Sequence, residues 1–306
     1  MSKKIILSFL AGMAVTGLFS FTAEEYQRGD VNQDGFINVA DVTCLIHFIL
    51  NGNWPDEPVT PPNETFTVNG VTFTMVGVQG GTFLMGGTEE QGSFAEAREF
   101  PVHEVTLSSY SIGQTEVTQA LWVAVMGSNP SWYTSVNGYN DNLERPVTNV
   151  SWRDCRSFIN RLNQLTGRNF RFPTEAEGEF AARGGNLSKG YMYAGSDNID
   201  EVAWYWNTLQ SHTEGDDGYG PQPVATKAPN ELGIYDMSGN VFEWCLESPY
   251  DYTSEPQVDP VGPSEGNDRL CRFGCWVHSA RDCRVSYRYT LPVSRTSGVC
   301  GLRLAL

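Results

Sequence analysis

The sequence predicts an α+β fold, low in regular secondary structure, over most of its 306 residues. Three observations predict it. From about Phe66 to Leu306 the chain is rich in glycine, tryptophan and arginine, with short apolar runs and many turn residues. Only a few segments carry helical spacing with caps at their ends. The front of this stretch alternates like a β-hairpin, with Asn69-Gly70 at its turn.

The N-terminus, MSKKIILSFLAGMAVTGLFSFTAEEY, has two lysines, an apolar run from Ile5 to Phe19, and small residues near Thr22 and Ala23. It reads as a signal peptide over residues 1–23, since the apolar run is too short and glycine-broken to span a bilayer comfortably. The expectation is an exported protein (secreted, cell-surface or periplasmic) with no transmembrane helix in the mature chain. The formal net charge is −16, and cleavage after Ala23 would leave 18 basic residues against 36 acidic ones. Such a surface repels nucleic acid and anionic membranes, so neither is an expected partner. Nearly all the remaining positive charge is arginine, whose planar fork suits an interior held by hydrogen bonds.

Residues 30–41, DVNQDGFINVAD, have the spacing of a calcium loop. Asp30, Asn32 and Asp34 take positions 1, 3 and 5, Gly35 the sharp turn, and Phe36 offers a backbone carbonyl. Asn38 and Asp41 complete the set, and a helical stretch with Val42, Leu45, Ile46, Ile49 and Leu50 follows. Residues 28–52 as a whole resemble a dockerin type I repeat, an EF-hand-like calcium loop and helix. That resemblance implies a cohesin-type partner, for which one repeat in place of the usual two supplies half of the surface. Residues 53–65 are proline-rich and read as a linker.

In the large domain, residues 66–306, two helices stand out. SWRDCRSFINRLNQLTG has Ser151 as N-cap, Asp154 three residues on, and an apolar face of Cys155, Phe158, Ile159, Leu162 and Leu165. PTEAEGEFAARGG has a capping box of Thr174 and Glu177 and a stop at Gly184. TQALWVAVMG is a third candidate. Glu175, Glu177 and Glu179 fall at a helix start, where the dipole and capping account for them. With so few regular elements, the fold must be held by metal ions, arginine networks and buried tryptophans.

The order of GGTFLMGG, PVTNVSWRDCRSF, FRFPTEAEGEFAARGG, PNELGIYDMSGNVFEWC and the closing GLRLAL resembles the sulfatase-modifying-factor family, founded on the formylglycine-generating enzyme. The resemblance spans residues 70–306 and implies a compact variant of the C-type lectin fold. The tryptophan usual in the family is absent at Gly178, and Phe242 stands where another is usual. The resemblance also implies structural calcium, with ligands at Asp236, Gly239, Val241 and Glu243. Two acids around a Ser-Gly-Asn turn independently make a plausible oxygen cage. A second site maps to Asn207, Thr208, Asp217 and Tyr219, with Asp216 as a rival to Asp217.

In that family, two cysteines with four residues between them bind Cu(I) after a Gly-Gly-Ser-aromatic turn, and oxygen then converts a substrate cysteine to formylglycine. The comparable segment here is RFGCWVHSARDCRVSYR. His278 stands at the first cysteine position and Cys283 at the second. Cys275 replaces the serine of the turn, and Phe273 its first glycine. One of two thiolate ligands for a soft ion is therefore gone. Cys283 with Cys275 or His278 is the candidate catalytic set if the oxidase survives. Cys271, Cys275, His278 and Cys283 also read as C-x3-C-x2-H-x4-C, a zinc-like spacing inside what runs partly as an apolar strand. Arg269, Arg272, Arg281 and Arg284 would favour thiolates if they lay close. Export permits disulfides among the seven cysteines, with pairing left open.

The sequence thus points to an exported, calcium-stabilised binding or accessory module for an extracellular protein or peptide ligand, without oxidase activity. The alternative is a copper-dependent oxidase that converts a sulfatase cysteine to formylglycine.

Overall fold

The computed structural model describes residues 60–210, 212–214, 216 and 218–306. The signal peptide at 1–23, the dockerin-like repeat at 28–52 and most of the linker at 53–65 lie outside the described residues. So do the loop ligands Asp30, Asn32, Asp34, Phe36, Asn38 and Asp41.

The described chain is mixed α/β, with ten strands in three small sheets. β1 (Glu64–Val68) and β2 (Val71–Val78) form the expected hairpin in antiparallel register, Val68 opposite Val71. Asn69 and Gly70 both have positive φ, 48° and 84°, the backbone that a two-residue hairpin turn demands. β5 (Tyr110–Gly113) completes this sheet against β2. A second sheet joins β3 (Gly81–Met85), β4 (His103–Leu107) and β7 (Gln257–Val258). The third has the order β10-β6-β8-β9, from β6 (Phe242–Trp244), β8 (Asp268–Arg272), β9 (Arg288–Pro292) and β10 (Cys300–Gly301).

Three helices carry most of the packing. α1 (Gln119–Met126) starts at the Thr118 cap and ends at Gly127, φ 85°. α2 (Trp152–Thr166) has the reciprocal capping box: Asp154 N donates to Ser151 Oγ, and Ser151 N to Asp154 Oδ2. Cys155, Phe158, Ile159 and Leu162 are buried as expected, whereas Leu165, in the last turn, is 50% exposed. Phe158 stacks on Trp122 of α1 at 4.8 Å and 5°. α3 (Glu175–Ala182) has the Thr174–Glu177 box, and its C-cap is Arg183, with Gly184 one residue beyond. Two single-turn helices follow, α4 (Ile199–Val202) and α5 (Trp206–Leu209). Among the described residues no helix is long and apolar enough to cross a membrane.

Every residue of α3 is buried. Its acids therefore do more than cap. Glu177 closes the box and also pairs with Arg171 at 2.6 Å. Glu175 and Glu179 instead face inward, where Arg272 of β8 bridges them at 2.6 Å each. Arg288 of β9 also grips Glu175, and Arg183 grips Glu179. A helix covered on all sides cannot leave acids unpaired, so arginine must come to them. A second buried pair joins Arg284 to Glu99.

Candidate functional site

The thiol segment begins where β8 ends. Phe273 and Gly274 turn the chain with φ of 75° and 69°. Gly274 is required for space as well: a Cβ there would lie 2.7 Å from Cys283 Sγ. Phe273 stands where the family's turn has glycine, and it accepts a backbone that costs a non-glycine residue about 1–2 kcal/mol. Its ring explains another departure. A Cβ on Gly178 would lie 3.2 Å from Phe273 Cζ, so Phe273 occupies space above α3 that a side chain at Gly178 would need. The missing tryptophan and the added phenylalanine are reciprocal changes in one packing site.

Cys275 follows in the core, and Trp276 N donates to Asn240 O at 2.8 Å. A one-turn 3-10 helix, Ala280–Cys283, then brings Cys283 into a small apolar cluster with Tyr193, Ile199, Val202, Ala203 and Tyr205. Both thiols are fully buried. Burial pushes each well above the ordinary cysteine range, and Cys283 adds to the rise at Cys275. The Cys275 backbone amide offsets only part of the rise at Cys283. His278 lies edge-on to Phe242 at 4.8 Å, and its Nδ1 is buried without a hydrogen-bond partner. Burial lowers its pKa below the usual value, which keeps the ring neutral near pH 7. Phe242 itself stacks on Tyr289 at 4.8 Å.

The nearby arginines do not act on these thiols. Arg272 and Arg284 are committed to Glu175, Glu179 and Glu99, Arg269 to Ser248 and backbone carbonyls, and Arg281 to Glu96. The zinc-like spacing also fails to converge, because Cys271 lies within β8 against Cys300. Among the described residues no three His, Cys, Asp or Glu side chains gather as a metal cage, and all six described cysteines are free thiols.

The acids around the Ser-Gly-Asn turn sit in a charged pocket that sequence reasoning only half identified. Glu243 is held by Arg303 through three contacts of 2.7–3.0 Å, and Arg303 also donates to the carbonyls of Gly113 and Tyr235. Asp236 accepts from Ala225 N, but its Oδ1 is buried with no partner. Glu116 accepts from Val241 N and Asn240 Nδ2. Burial, and then the neighbouring Asp236 and Glu243, push Glu116 well above the carboxylate range; burial pushes Asp236 up to about 6. Three acids thus face one arginine. Asp236 Oδ1 is a hard donor left open in this pocket, whereas Glu243 is already committed to Arg303. Gly239, at φ 80°, sits where a Cβ would lie 2.3 Å from Trp204 O. Glu116 and Arg303 lie in QTEVTQ and GLRLAL, with no spacing signal to connect them.

The second mapped site is less converged. Asn207 is exposed, and the Thr208 hydroxyl is used within its own turn, donating to Tyr205 O and accepting from Tyr205 N. Asp216 closes a surface turn by accepting from Thr213 N and Oγ1. Asp217 lies outside the described residues. Tyr219 packs edge-to-face on Trp276 at 5.0 Å.

Tyr219 packs against a buried aromatic cluster next to the thiol segment. Tyr133 packs edge-on against both Tyr139 and Trp276, at 5.0 and 5.5 Å. Trp132 and Trp206 are each 50% exposed, and Trp206 N donates to His278 O at 2.9 Å. Half-exposed indoles on a rigid support are the usual anchors of a protein-binding surface.

Residues 62–306 match the family model described as the sulfatase-modifying factor enzyme 1-like domain. The chain is similar to the chaperone protein LppX of Paenibacillus barcinonensis, 35% identical over 65% of this chain and 80% of that one. It is 30% identical to the formylglycine-generating enzyme of Streptomyces coelicolor, over 75% of this chain and 88% of that one. Among solved structures, Treponema denticola variable protein 1 is similar at 32% identity and a TM-score of 0.67, covering 80% of this chain and 99% of that one.

Proposed function

The chain belongs to the sulfatase-modifying factor enzyme 1-like domain family, and from that membership we propose that it is an exported binding or accessory module without oxidase activity. The observation that carries this reading is the first copper position, where His278 stands in place of a second thiol, while Cys283 is fully buried. Copper, when bound to the family's thiolate pair, supplies the oxygen chemistry. Here His278 occupies one of the two positions, so that thiolate pair is not reproduced. Similarity to a protein named as a chaperone supports an accessory role.

The ligand is an extended polypeptide that docks around the half-exposed Trp206 and the partly exposed Tyr219, in a lectin-like scaffold. Trp206→Ala weakens the binding of a fluorescent sulfatase-type cysteine peptide by at least about ten-fold, the scale of a lost aromatic anchor. Absence of peptide binding in the unaltered protein, or an unchanged affinity in the variant, sinks this assignment.

Calcium belongs to the reading in two places: the 30–41 loop and the Asp236 pocket. A bound dication would neutralise the excess of acid around Arg303. At free calcium a hundred times its Kd, binding contributes about 2.7 kcal/mol, so a chelator lowers the Tm of the full chain by several degrees. Asp236→Asn removes part of that response. A Tm indifferent to chelator in the unaltered chain contradicts the calcium assignment.

A further inference from the structure

Residues 259–267, between β7 and β8, run as a strap past Glu247. Asp259 anchors its start, accepting from Ser108 N and Ser108 Oγ at 2.7 Å each. Two residues outside the strap tie down the rest. Ser248 N donates to Pro263 O at 2.6 Å, and the Ser248 hydroxyl donates to Glu265 O. Arg269 donates to Ser264 O and Gly266 O. Most of the strap is exposed, but Gly262 lies against the core. A Cβ there would lie 2.8 Å from Glu247 Cγ and 2.7 Å from Tyr250 Cε1, so only a glycine lets the strap close this far.

The strap covers an acid whose hydrogen bonding is half complete. Glu247 is 1% exposed. Its Oε2 accepts from Glu175 N, at the start of α3, at 3.0 Å, whereas its Oε1 is buried with no partner. A buried carboxylate left so is costly, and the protonated acid is not. The surroundings offer little relief. From α3 it faces Glu175 and Glu177, two more acids. Arg272 and Arg288 are engaged by Glu175, Arg171 by Glu177, and Arg269 by the strap. Its own segment adds the Cys245 thiol and the Tyr250 phenol, and the strap's acid, Glu265, is exposed. Burial, and then Glu175, push Glu247 up to about 8.

We propose that the strap is a pH-operated latch, closed over the protonated Glu247 in acid and released as the pH rises. Opening hydrates Glu247 and returns its pKa to the ordinary value of about 4.3. A carboxyl whose pKa is higher in the closed form favours closure fully below that ordinary value. It loses the contribution as the pH rises through about 8, so opening grows between these limits and then levels off. The open form exposes Glu247, Tyr250 and the N-terminal end of α3. The latch is separate from the thiol segment, and the proposal stands whether or not the binding reading does.

The test is hydrogen exchange of the full chain, resolved by NMR at the Ser248 amide, whose hydrogen the strap's Pro263 O holds. Rates are corrected for intrinsic exchange at each pH. Protection at this amide is expected to fall at least about thirty-fold from pH 5 to pH 8 and to change little from there to pH 9, while the amides of α2 keep theirs. Glu247→Gln, a neutral side chain that keeps the acceptor for Glu175 N, holds the strap closed across the range. Ser248→Ala removes the hydroxyl tether, so protection at the same amide is lower at every pH and the pH response remains. Circular dichroism of each variant verifies folding. Protection indifferent to pH, a response unchanged in Glu247→Gln, or an equal loss along α2 each overturns the proposal.

Discussion

Arg303→Met costs the fold about 3–5 kcal/mol at pH 7.5, and much of the loss returns as the pH is lowered towards 4.5. The magnitude is that of breaking a buried pair by removing one partner. Arg303 is the guanidinium gripping Glu243, and its charge also lowers the cost of ionising Glu116 and Asp236. Without it, three buried acids face one another with no counter-charge, and their folded pKa values rise further. A carboxyl whose folded pKa exceeds its unfolded one stabilises the fold fully below the unfolded value, near 4, and loses that contribution as pH rises through the folded value. Asp236 is already pushed to about 6 and Glu116 lies well above its usual range, so the deficit grows from about pH 4 upward through 6. Urea unfolding of the variant and the unaltered chain across this range measures it. A deficit independent of pH would mean that Arg303 acts through packing alone.

Arg272→Ala is the second large loss, again about 3–5 kcal/mol by the same accounting. Arg272 joins β8 to α3 by binding Glu175 and Glu179 and donates to Val285 O at 2.8 Å. Arg288 and Arg183 remain on those acids after the change, but a cavity and an unpaired Glu179 oxygen remain too. Arg272→Lys does not restore stability, because a point-like ammonium cannot span two carboxylates as a planar fork does. Thermal unfolding of both variants measures the effect. A lysine variant as stable as the unaltered chain would show that charge, and not the fork, is what α3 needs.

The local devices were legible in the sequence. Asn69-Gly70, the Ser151–Asp154 box and the Thr174–Glu177 box each announce themselves within four residues, because turns and caps are short-range chemistry. Arginine's predominance over lysine also pointed to an interior held by arginine hydrogen bonds. Which arginine meets which acid was not legible: Arg272 lies 97 residues from Glu175, and Arg303 lies 60 from Glu243. The inward turn of Glu175 and Glu179 was missed for the same reason, since capping explained them locally and only burial of the whole helix shows otherwise. Phe273 and Gly178 were each seen as departures from the family pattern. Their mutual contact required the fold.

The site was legible in residue types more than in geometry. Cys275, His278 and Cys283 were picked out, and the structure puts Cys275 beside Cys283. Their protonation depends on full burial and on arginines engaged elsewhere, neither of which spacing can reveal. The acids of the Asp236 pocket were found in part, but Glu116 comes from a distant loop.

The most direct measurement is aldehyde formation on a sulfatase-derived cysteine peptide incubated with the reduced protein, Cu(I) and oxygen, followed by mass spectrometry. The expected result is an unmodified peptide, with oxygen uptake no faster than without protein. Conversion of the cysteine to formylglycine, lost on Cys283→Ser, would contradict the account.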